Sequence, residues 1–311
     1  MSGPRGRTAR KARPATGRQR RTDRVAYLFL APFLALFIVF TVLPIALAAY
    51  DSLFAVRYSG LGLGGGTLRF VGLQNYGAAL TSPDLLSGVL RMIVFGLVQV
   101  PVMLGVALAL ALVLDSSAYR LHSALRTVYL LPYAVPIVIG TLAWGFLYTP
   151  QMSPLSDAVK ALGGPADLLG ETTVLWSMGN VVTWSYTGIN MTILYTSLRG
   201  LPRDVYEAAR LDGAGEFRIA WSVKVPQLVP ALIMTTIMSV IGTLQIFTEP
   251  TILGNLTPAI SPTYTPNMTI QTVAIGQQNP QLAAATAIVL AAVTFLLSLG
   301  FLTLAERRSS R

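Results

Sequence analysis

Cysteine is absent from this 311-residue sequence, and histidine occurs only once, at His122. Without cysteine there is no disulfide framework and no thiolate metal site. A lone histidine argues against a zinc or haem site as well, because such sites need several converging ligands. We therefore expect neither disulfides nor a bound metal in this protein.

Charged residues are also scarce. They make up 12% of the chain, whereas 53% of the residues are hydrophobic and the mean hydropathy is +0.60. The charged share is about half that of an ordinary soluble domain, and a soluble fold of this size would need a larger polar surface. The apolar residues are moreover gathered into blocks, which indicates an integral membrane protein.

Six apolar blocks are long enough to cross a bilayer. Each holds about 22 to 27 residues, which as a helix spans a hydrocarbon core of ~30 Å. Because only internal hydrogen bonding satisfies the backbone in lipid, we predict an all-α integral membrane protein with six transmembrane helices. The membrane domain covers residues 26–306, between a basic tail at 1–25 and a short tail at 307–311. The predicted spans are 26–50, 88–114, 126–148, 173–198, 227–248 and 282–304.

The net charge of +10 is unevenly distributed. Nine of the 23 Lys and Arg residues precede the first span, and ten more lie in 115–126, in 199–226 and after residue 305. The opposite side keeps Arg57, Arg69, Arg91 and Lys160. By the positive-inside rule both termini are cytoplasmic. We interpret the basic tail as a disordered segment at the lipid surface rather than a nucleic-acid binder.

The predicted spans contain no ionisable residue deep in the membrane. Arg91, Glu249 and Glu306 lie near span ends, where they can reach the interface. Ion-coupled carriers usually need an intramembrane ionisable group, so this pattern argues against a proton-coupled carrier. It also favours a neutral cargo, because desolvating an unpaired charge costs several kcal/mol.

Uncharged polar residues do occur near mid-span, and we regard them as candidates for a substrate path. Such side chains can hydrogen-bond hydroxyl groups, and aromatic faces can pack on a sugar ring. Hydrogen bonding between helices, or packing in the case of the two aromatic residues, remains the alternative. The candidates are Gln99, Trp184, Tyr186, Thr187, Asn190, Ser239 and Thr243.

Residues 199–226 are too polar to span a membrane, yet they are patterned. Pro202 can open a helix, and Asp204 and Glu207 suit its positive N-terminus. Ala208 and Ala209 keep one surface small. Gly213 can end the helix in a left-handed conformation.

A second short helix follows, with Phe217, Trp221 and Ala220 as its apolar stripe, and Pro226 marks the turn into the fifth span. The product is a helix-turn-helix along the inner membrane face. Small residues allow it to dock into a partner's groove, and Glu207 and Arg210 can be recognised by charge. A merely solvated amphipathic loop is the alternative.

This loop resembles the EAA motif of ABC-importer permeases. Glu207-Ala208-Ala209 is followed at the family's spacing by Gly213 and then by Val223-Lys224-Val225-Pro226, with valines in place of Ile and Leu. Asp212-Gly213-Ala214 is similar to the sugar-permease subgroup. Residues 70–76 (FVGLQNY) resemble the first outer-loop signature, and Leu30-Ala31-Pro32 with Pro44 resembles the first span. The resemblance covers about 26–306 and is greatest to the first subunit of maltose-type permeases.

The resemblance implies a type I importer permease whose loop is a coupling helix held in a cleft of a separate ATPase dimer. A second, different permease subunit and an extracytoplasmic solute-binding protein complete the complex in a bacterial plasma membrane. The chain lacks G-x-x-x-x-G-K-[ST], so ATP and Mg²⁺ would be bound by the ATPase, and this chain would have no cofactor and no enzymatic activity of its own. The coupling residues are Glu207, Ala208, Ala209, Arg210, Asp212, Gly213 and Pro226.

Other functions remain open at this stage. The same fold could import amino acids, phosphate esters or a lipid-like molecule, and residues 249–281 lack the Gly-Gly-Pro pattern frequent in the sugar subgroup. A proton-coupled carrier is disfavoured by the missing intramembrane acids. An enzyme with its site in the membrane has no support from paired carboxylates, a Ser/His dyad or a metal cluster.

Overall fold

Helices make up most of the chain in the computed structural model, which describes residues 17–58, 66–115, 122–150, 154–164 and 167–309. The chain divides into two units, Met1–Asp51 and Ser52–Arg311. In chain order the elements are α1 (Gly17–Phe37), a π-helical turn (Ile38–Val42), α2 (Leu43–Asp51), β1 (Phe54–Tyr58), β2 (Gly66–Phe70), α3 (Gln74–Leu80), α4 (Pro83–Asp115), α5 (His122–Ala134), α6 (Ile137–Tyr148), α7 (Pro154–Ala161), α8 (Val174–Arg199), α9 (Arg203–Leu211), α10 (Glu216–Ile219), a π-helical turn (Ala220–Lys224), α11 (Val225–Gln227), α12 (Val229–Leu244), α13 (Thr248–Leu253), α14 (Pro266–Gln271), a π-helical turn (Thr272–Gly276) and α15 (Pro280–Ser309).

The first unit is one continuous helix made of α1, the π-helical turn and α2. It contains the first predicted span. Its first turns occupy residues 17–25, which the sequence assigned to a disordered tail, and residues 1–16 of that tail lie outside the described residues.

Four helical regions are long and apolar enough to cross a membrane: Tyr27–Asp51, Pro83–Asp115, Val229–Leu253 and Pro280–Thr303. They match the first, second, fifth and sixth predicted spans. The fourth predicted span is α8, whose 26 residues extend about 39 Å at 1.5 Å per residue. It is less apolar than these four regions, and several of its polar side chains, Ser177, Ser185 and Asn190, are buried in the bundle.

The third predicted span, 126–148, is not one helix. The sequence indicates a kink in this block, because Pro132 and Pro136 each remove an N–H. The structure has a full break there: Ala124–Ala134 and Ile137–Tyr148 are bent by 92°. Pro136 lies at the break, where it has no N–H to continue the helical ladder and has a ψ of 127°.

The core of the second unit is built on α8, which packs against α4, α5, α6, α12 and α13. Met92 and Phe95 of α4 meet Met178 and Val181 of α8 in one apolar cluster. A second cluster follows toward the other end of the same two helices, around Ala111 and Leu194. Small residues allow this close approach of membrane helices.

A two-stranded hairpin departs from the all-α expectation. Strands β1 and β2 pair antiparallel, with Phe54 opposite Phe70. The signature at 70–76 anchors this hairpin, since the Asn75 side-chain amide donates to the carbonyl oxygens of Ser52 at 2.8 Å and Phe54 at 2.7 Å. Gly72 turns the chain between β2 and α3 with φ of +58°.

Gly188 tests the packing of α8 against α5. A Cβ atom at Gly188 would overlap the Tyr129 carbonyl and approach Leu130 Cα to 3.0 Å. Because backbone atoms cannot yield cheaply, we expect Gly188→Ala to lower the unfolding free energy by about 1–3 kcal/mol. Thermal unfolding of the purified protein measures this. Gly105→Ala is the matched control, since a Cβ there meets nothing within 4 Å, and equal midpoints for both variants would contradict the packing.

Candidate functional site

The loop at 199–226 folds as a helix-turn-helix, α9 followed by α10 and its π-helical continuation. Helix α9 begins directly after Pro202, which is extended at ψ of 130°, and carries Asp204 in its first turn and Arg210 in its last. These charges complement the helix dipole. The start that the sequence predicted is therefore observed.

The turn after α9 is a Schellman motif. The N–H of Gly213 donates to the Arg210 carbonyl and that of Ala214 to the Ala209 carbonyl, both at 3.0 Å. Gly213 has φ of +80°, which a side chain would strain, although a Cβ there meets nothing within 4 Å. The glycine is thus required by backbone conformation rather than by space, and it fixes the angle between α9 and α10.

Most of the predicted coupling residues lie on the surface of this element. Glu207, Ala208, Asp212 and Pro226 are exposed, and Ala209 is half-buried. Arg210 is exposed too, but its guanidinium is paired with Glu216 at 2.7 Å, so the two helices share an ion pair across the turn.

Large apolar side chains are exposed on the same element. Phe217 is 79% exposed and Trp221 55% exposed, and their rings are 6.3 Å apart. Val205 and Leu211 of α9 are exposed as well. The predicted stripe needs one correction: Ala220 is only half-buried, and the residue that anchors α10 to the bundle is the buried Ile219. The exposed rings form a surface suited to docking.

A cavity of about 390 Å³ lies between α4, the bend between α5 and α6, α8, and the break between α12 and α13. Five of the seven predicted path residues line it: Gln99, Tyr186, Asn190, Ser239 and Thr243. The other two are placed elsewhere. Trp184 packs edge-on against Trp144, with centroids 5.9 Å apart, and the Thr187 hydroxyl donates to the Thr183 carbonyl at 2.6 Å.

The cavity offers polar atoms to a ligand. Gln99 lines the cavity, although its side-chain oxygen is inaccessible to solvent and has no hydrogen-bond partner among the described residues. The Asn190 amide donates to the Tyr186 carbonyl at 3.0 Å, which leaves its oxygen to accept. Tyr133 and Tyr186 form an edge-to-face pair with centroids 6.2 Å apart, and Phe247 adds a further aromatic ring. Acceptors next to aromatic faces suit a polyhydroxylated ligand.

Glu249 was misplaced by sequence reasoning. It is not exposed on the outside of the bundle. Its side chain is 4% exposed, lines the cavity, and forms no ion pair within the described part of the chain. The helix breaks at 245–247, so α13 carries Glu249 in its first turn into the bundle. The polar residue Gln245 was the one sequence signal near that break. The apolar residues around it do not show where the helix bends.

Residues 78–311 match the family model of the binding-protein-dependent transport system inner membrane component. The chain is 32% identical over 230 residues to the lactose transport system permease protein of Rhizobium radiobacter, covering 72% of this chain and 74% of that one. It is 28% identical to the trehalose/maltose transport system permease protein of Thermococcus litoralis, over 73% of this chain and 76% of the relative.

A third relative is the sn-glycerol-3-phosphate transport system permease protein of Agrobacterium fabrum, which is 29% identical over 71% of this chain and 73% of its own. Two solved structures share the fold at 16% identity. One is a bacterial ABC transporter involved in the import of the acidic polysaccharide alginate, with a TM-score of 0.75 over 93% of this chain and 98% of that chain. The other is a bacterial alginate ABC transporter in complex with an alginate pentasaccharide-bound periplasmic protein, with a TM-score of 0.77 over 94% and 97%.

The family match, the helical bundle and the helix-turn-helix agree with one another. The chain is a multi-pass membrane protein, and it belongs to the binding-protein-dependent transport systems as an inner membrane component.

Proposed function

We propose that this chain is one permease subunit of an ATP-driven importer for a neutral sugar or oligosaccharide. The observation that carries the proposal is the helix-turn-helix at 199–226, with its Gly213-fixed turn and its exposed Phe217 and Trp221. An element of this kind needs a partner, because a large apolar side chain gains about 1.5–3 kcal/mol when it is removed from water.

The partner of this surface is a separate ATPase dimer. Binding and hydrolysis of ATP with Mg²⁺ take place there, and this chain transmits the movement to the membrane helices. The concentration of Lys and Arg in the tail and in the loop supports a cytoplasmic location for both termini and for this surface.

Two further partners complete the importer. A second, different permease subunit forms the other half of the pathway, as the resemblance to maltose-type permeases suggests. An extracytoplasmic binding protein delivers the cargo to the outer mouth. Support comes from the family description and from the similar fold of an alginate transporter solved with its periplasmic protein.

The cargo class follows from the cavity. It presents an acceptor at Asn190, aromatic rings at Tyr133 and Tyr186, and a carboxyl group at Glu249. None of the described residues that line it is Lys or Arg. The Glu249 carboxyl group can hydrogen-bond the hydroxyls of a neutral sugar, whereas an anionic sugar would find no cationic partner among the residues that line the cavity.

Glu249 also gives some support to a second candidate, a proton-coupled carrier, since a buried acid can carry a proton. The two mechanisms differ in their energy source. Uptake into proteoliposomes that continues with an uncoupler present at constant ATP would support the importer. Uptake that collapses under the same conditions would support the proton-coupled carrier. The family's dependence on a binding protein favours the importer.

Gly213 tests the coupling role of the loop. Left-handed backbone costs a residue with a Cβ roughly 1–2 kcal/mol, so Gly213→Ala should loosen the turn. We expect cargo moved per ATP hydrolysed to fall several-fold in the reconstituted importer. Gly215→Ala is the matched control, with an ordinary φ of −69° and open space around its Cβ. If both variants move the same amount of cargo per ATP hydrolysed, the loop does not take part in coupling.

Glu249 tests the cargo class. A ligand screen on the cognate binding protein should return a neutral glycoside. Because a hydrogen bond contributes about 0.5–1.5 kcal/mol, Glu249→Gln, which replaces one carboxyl oxygen by an amide nitrogen, should lower uptake of that glycoside several-fold. Glu171→Gln, at an exposed carboxylate outside the cavity, should leave uptake unchanged. An anionic cargo, or an unaffected Glu249→Gln importer, would contradict the assignment.

A further inference from the structure

A buried ion pair connects the helix-turn-helix to the membrane bundle. Lys224 Nζ lies 2.7 Å from Asp115 Oδ2, and the two side chains are only 7% and 10% exposed. Asp115 is the last residue of α4, and Lys224 is the last residue of the π-helical turn that follows α10. The pair therefore bridges two elements that are 109 positions apart in sequence.

The same ammonium group faces the first helix of the loop. Lys224 Nζ lies 5.2 Å from the centroid of the Tyr206 ring on α9, within the range of a cation–π interaction. The Tyr206 hydroxyl has no hydrogen-bond partner in the part of the chain that the structure describes. Burial raises the pKa of Tyr206, and the Asp115 carboxylate raises it further. Lys224 thus contacts α4 and α9 from its own position beyond α10.

A buried charged pair is unusual at a contact whose only role is packing. Removing two charges from water is costly, and apolar residues of similar volume often stabilise a protein as well or better. The neighbours of Lys224 in the chain, Val223 and Val225, are apolar. A buried pair specifies one register between two elements, which apolar packing does less strictly. Lys224 lies in a π-helical turn, a feature that often marks functional positions in helices.

We propose that the Asp115–Lys224 pair, with Tyr206 beside it, is the positioning joint that links the helix-turn-helix to α4. The proposal rests on the function proposed above, in which an ATPase moves that element. When the helix-turn-helix shifts, α4 is carried with it, and α4 bears Gln99 in the wall of the cavity. The joint therefore connects the docking surface to the cargo path through one continuous helix.

Spin-label distances in the assembled importer test the joint without any need for cargo. The chain has no native cysteine, so two introduced cysteines are its only labelling sites. One label replaces Asp204 on α9 and the other replaces Val106 on α4, both at exposed positions. With the Asp115–Lys224 ion pair unaltered, we expect a single narrow distribution of the distance between the two labels.

Lys224→Met should broaden that distribution at least twofold and lower cargo moved per ATP about tenfold. Lys224→Asp combined with Asp115→Lys should restore both. Because a single variant leaves a buried charge and can fail to fold, Lys224→Met with Asp115→Asn provides a neutral pair. A neutral pair with an unchanged thermal midpoint, a narrow distribution and full coupling would overturn the proposal.

Glu216→Gln is the control. It breaks the Arg210–Glu216 pair, which has the same 2.7 Å separation but is exposed, and exposed pairs contribute little. The distribution should stay narrow in this variant. The proposed function and the proposed joint fail on different results. If Gly213→Ala leaves cargo moved per ATP unchanged, the helix-turn-helix does not transmit the movement of the ATPase. Broadening of the label distance distribution by Lys224→Met still tests the joint itself.

Discussion

Close packing of α8 against its neighbours holds the second unit together. Helices α4, α5, α6, α12 and α13 pack against α8, and the contact is close because glycine removes side-chain bulk where another residue must fit. A Cβ on Gly179 would come within 3.1 Å of the Phe95 ring, and one on Gly188 would overlap the Tyr129 backbone. In lipid there is no hydrophobic gain from bringing helices together, so this packing, with hydrogen bonds between helices, is what holds them.

The cavity and the helix-turn-helix both depend on this arrangement. The face of α8 toward α5 and α12 supplies Tyr186 and Asn190 to the cavity. The C-terminal end of α8 leads through Leu198, which is buried, directly into the loop that forms α9. The helix that lines the proposed cargo path is therefore the helix from which the proposed docking element emerges, and α4, packed on α8, returns to that element through Asp115 and Lys224. The proposed cargo path and the proposed docking element are thus both connected to the helices α4 and α8.

Local features of the fold were accessible from sequence. The apolar blocks gave the helical regions, because lipid permits few other backbone solutions. Gly213 and Pro202 gave the ends of α9, because their backbone preferences act locally. Features that depend on tertiary placement were not accessible. The 92° bend at Pro136 is larger than a proline requires, and other prolines, such as Pro101, lie inside unbroken helix. Glu249 reaches the cavity only because α13 breaks away from α12, and the pairing of Lys224 with Asp115 has no local signature at all.

The central claim is that residues 199–226 form a cytoplasmic element that an ATPase subunit binds. The most direct measurement places a photo-cross-linking amino acid at Phe217 in the intact importer within sealed vesicles, with Leu162, an exposed apolar residue outside this element, as the comparison site. The account predicts a covalent adduct between Phe217's replacement and the nucleotide-binding subunit, and none with that subunit from Leu162. An adduct with the extracytoplasmic binding protein at Phe217, or no ATPase adduct there in an importer that hydrolyses ATP, would contradict it.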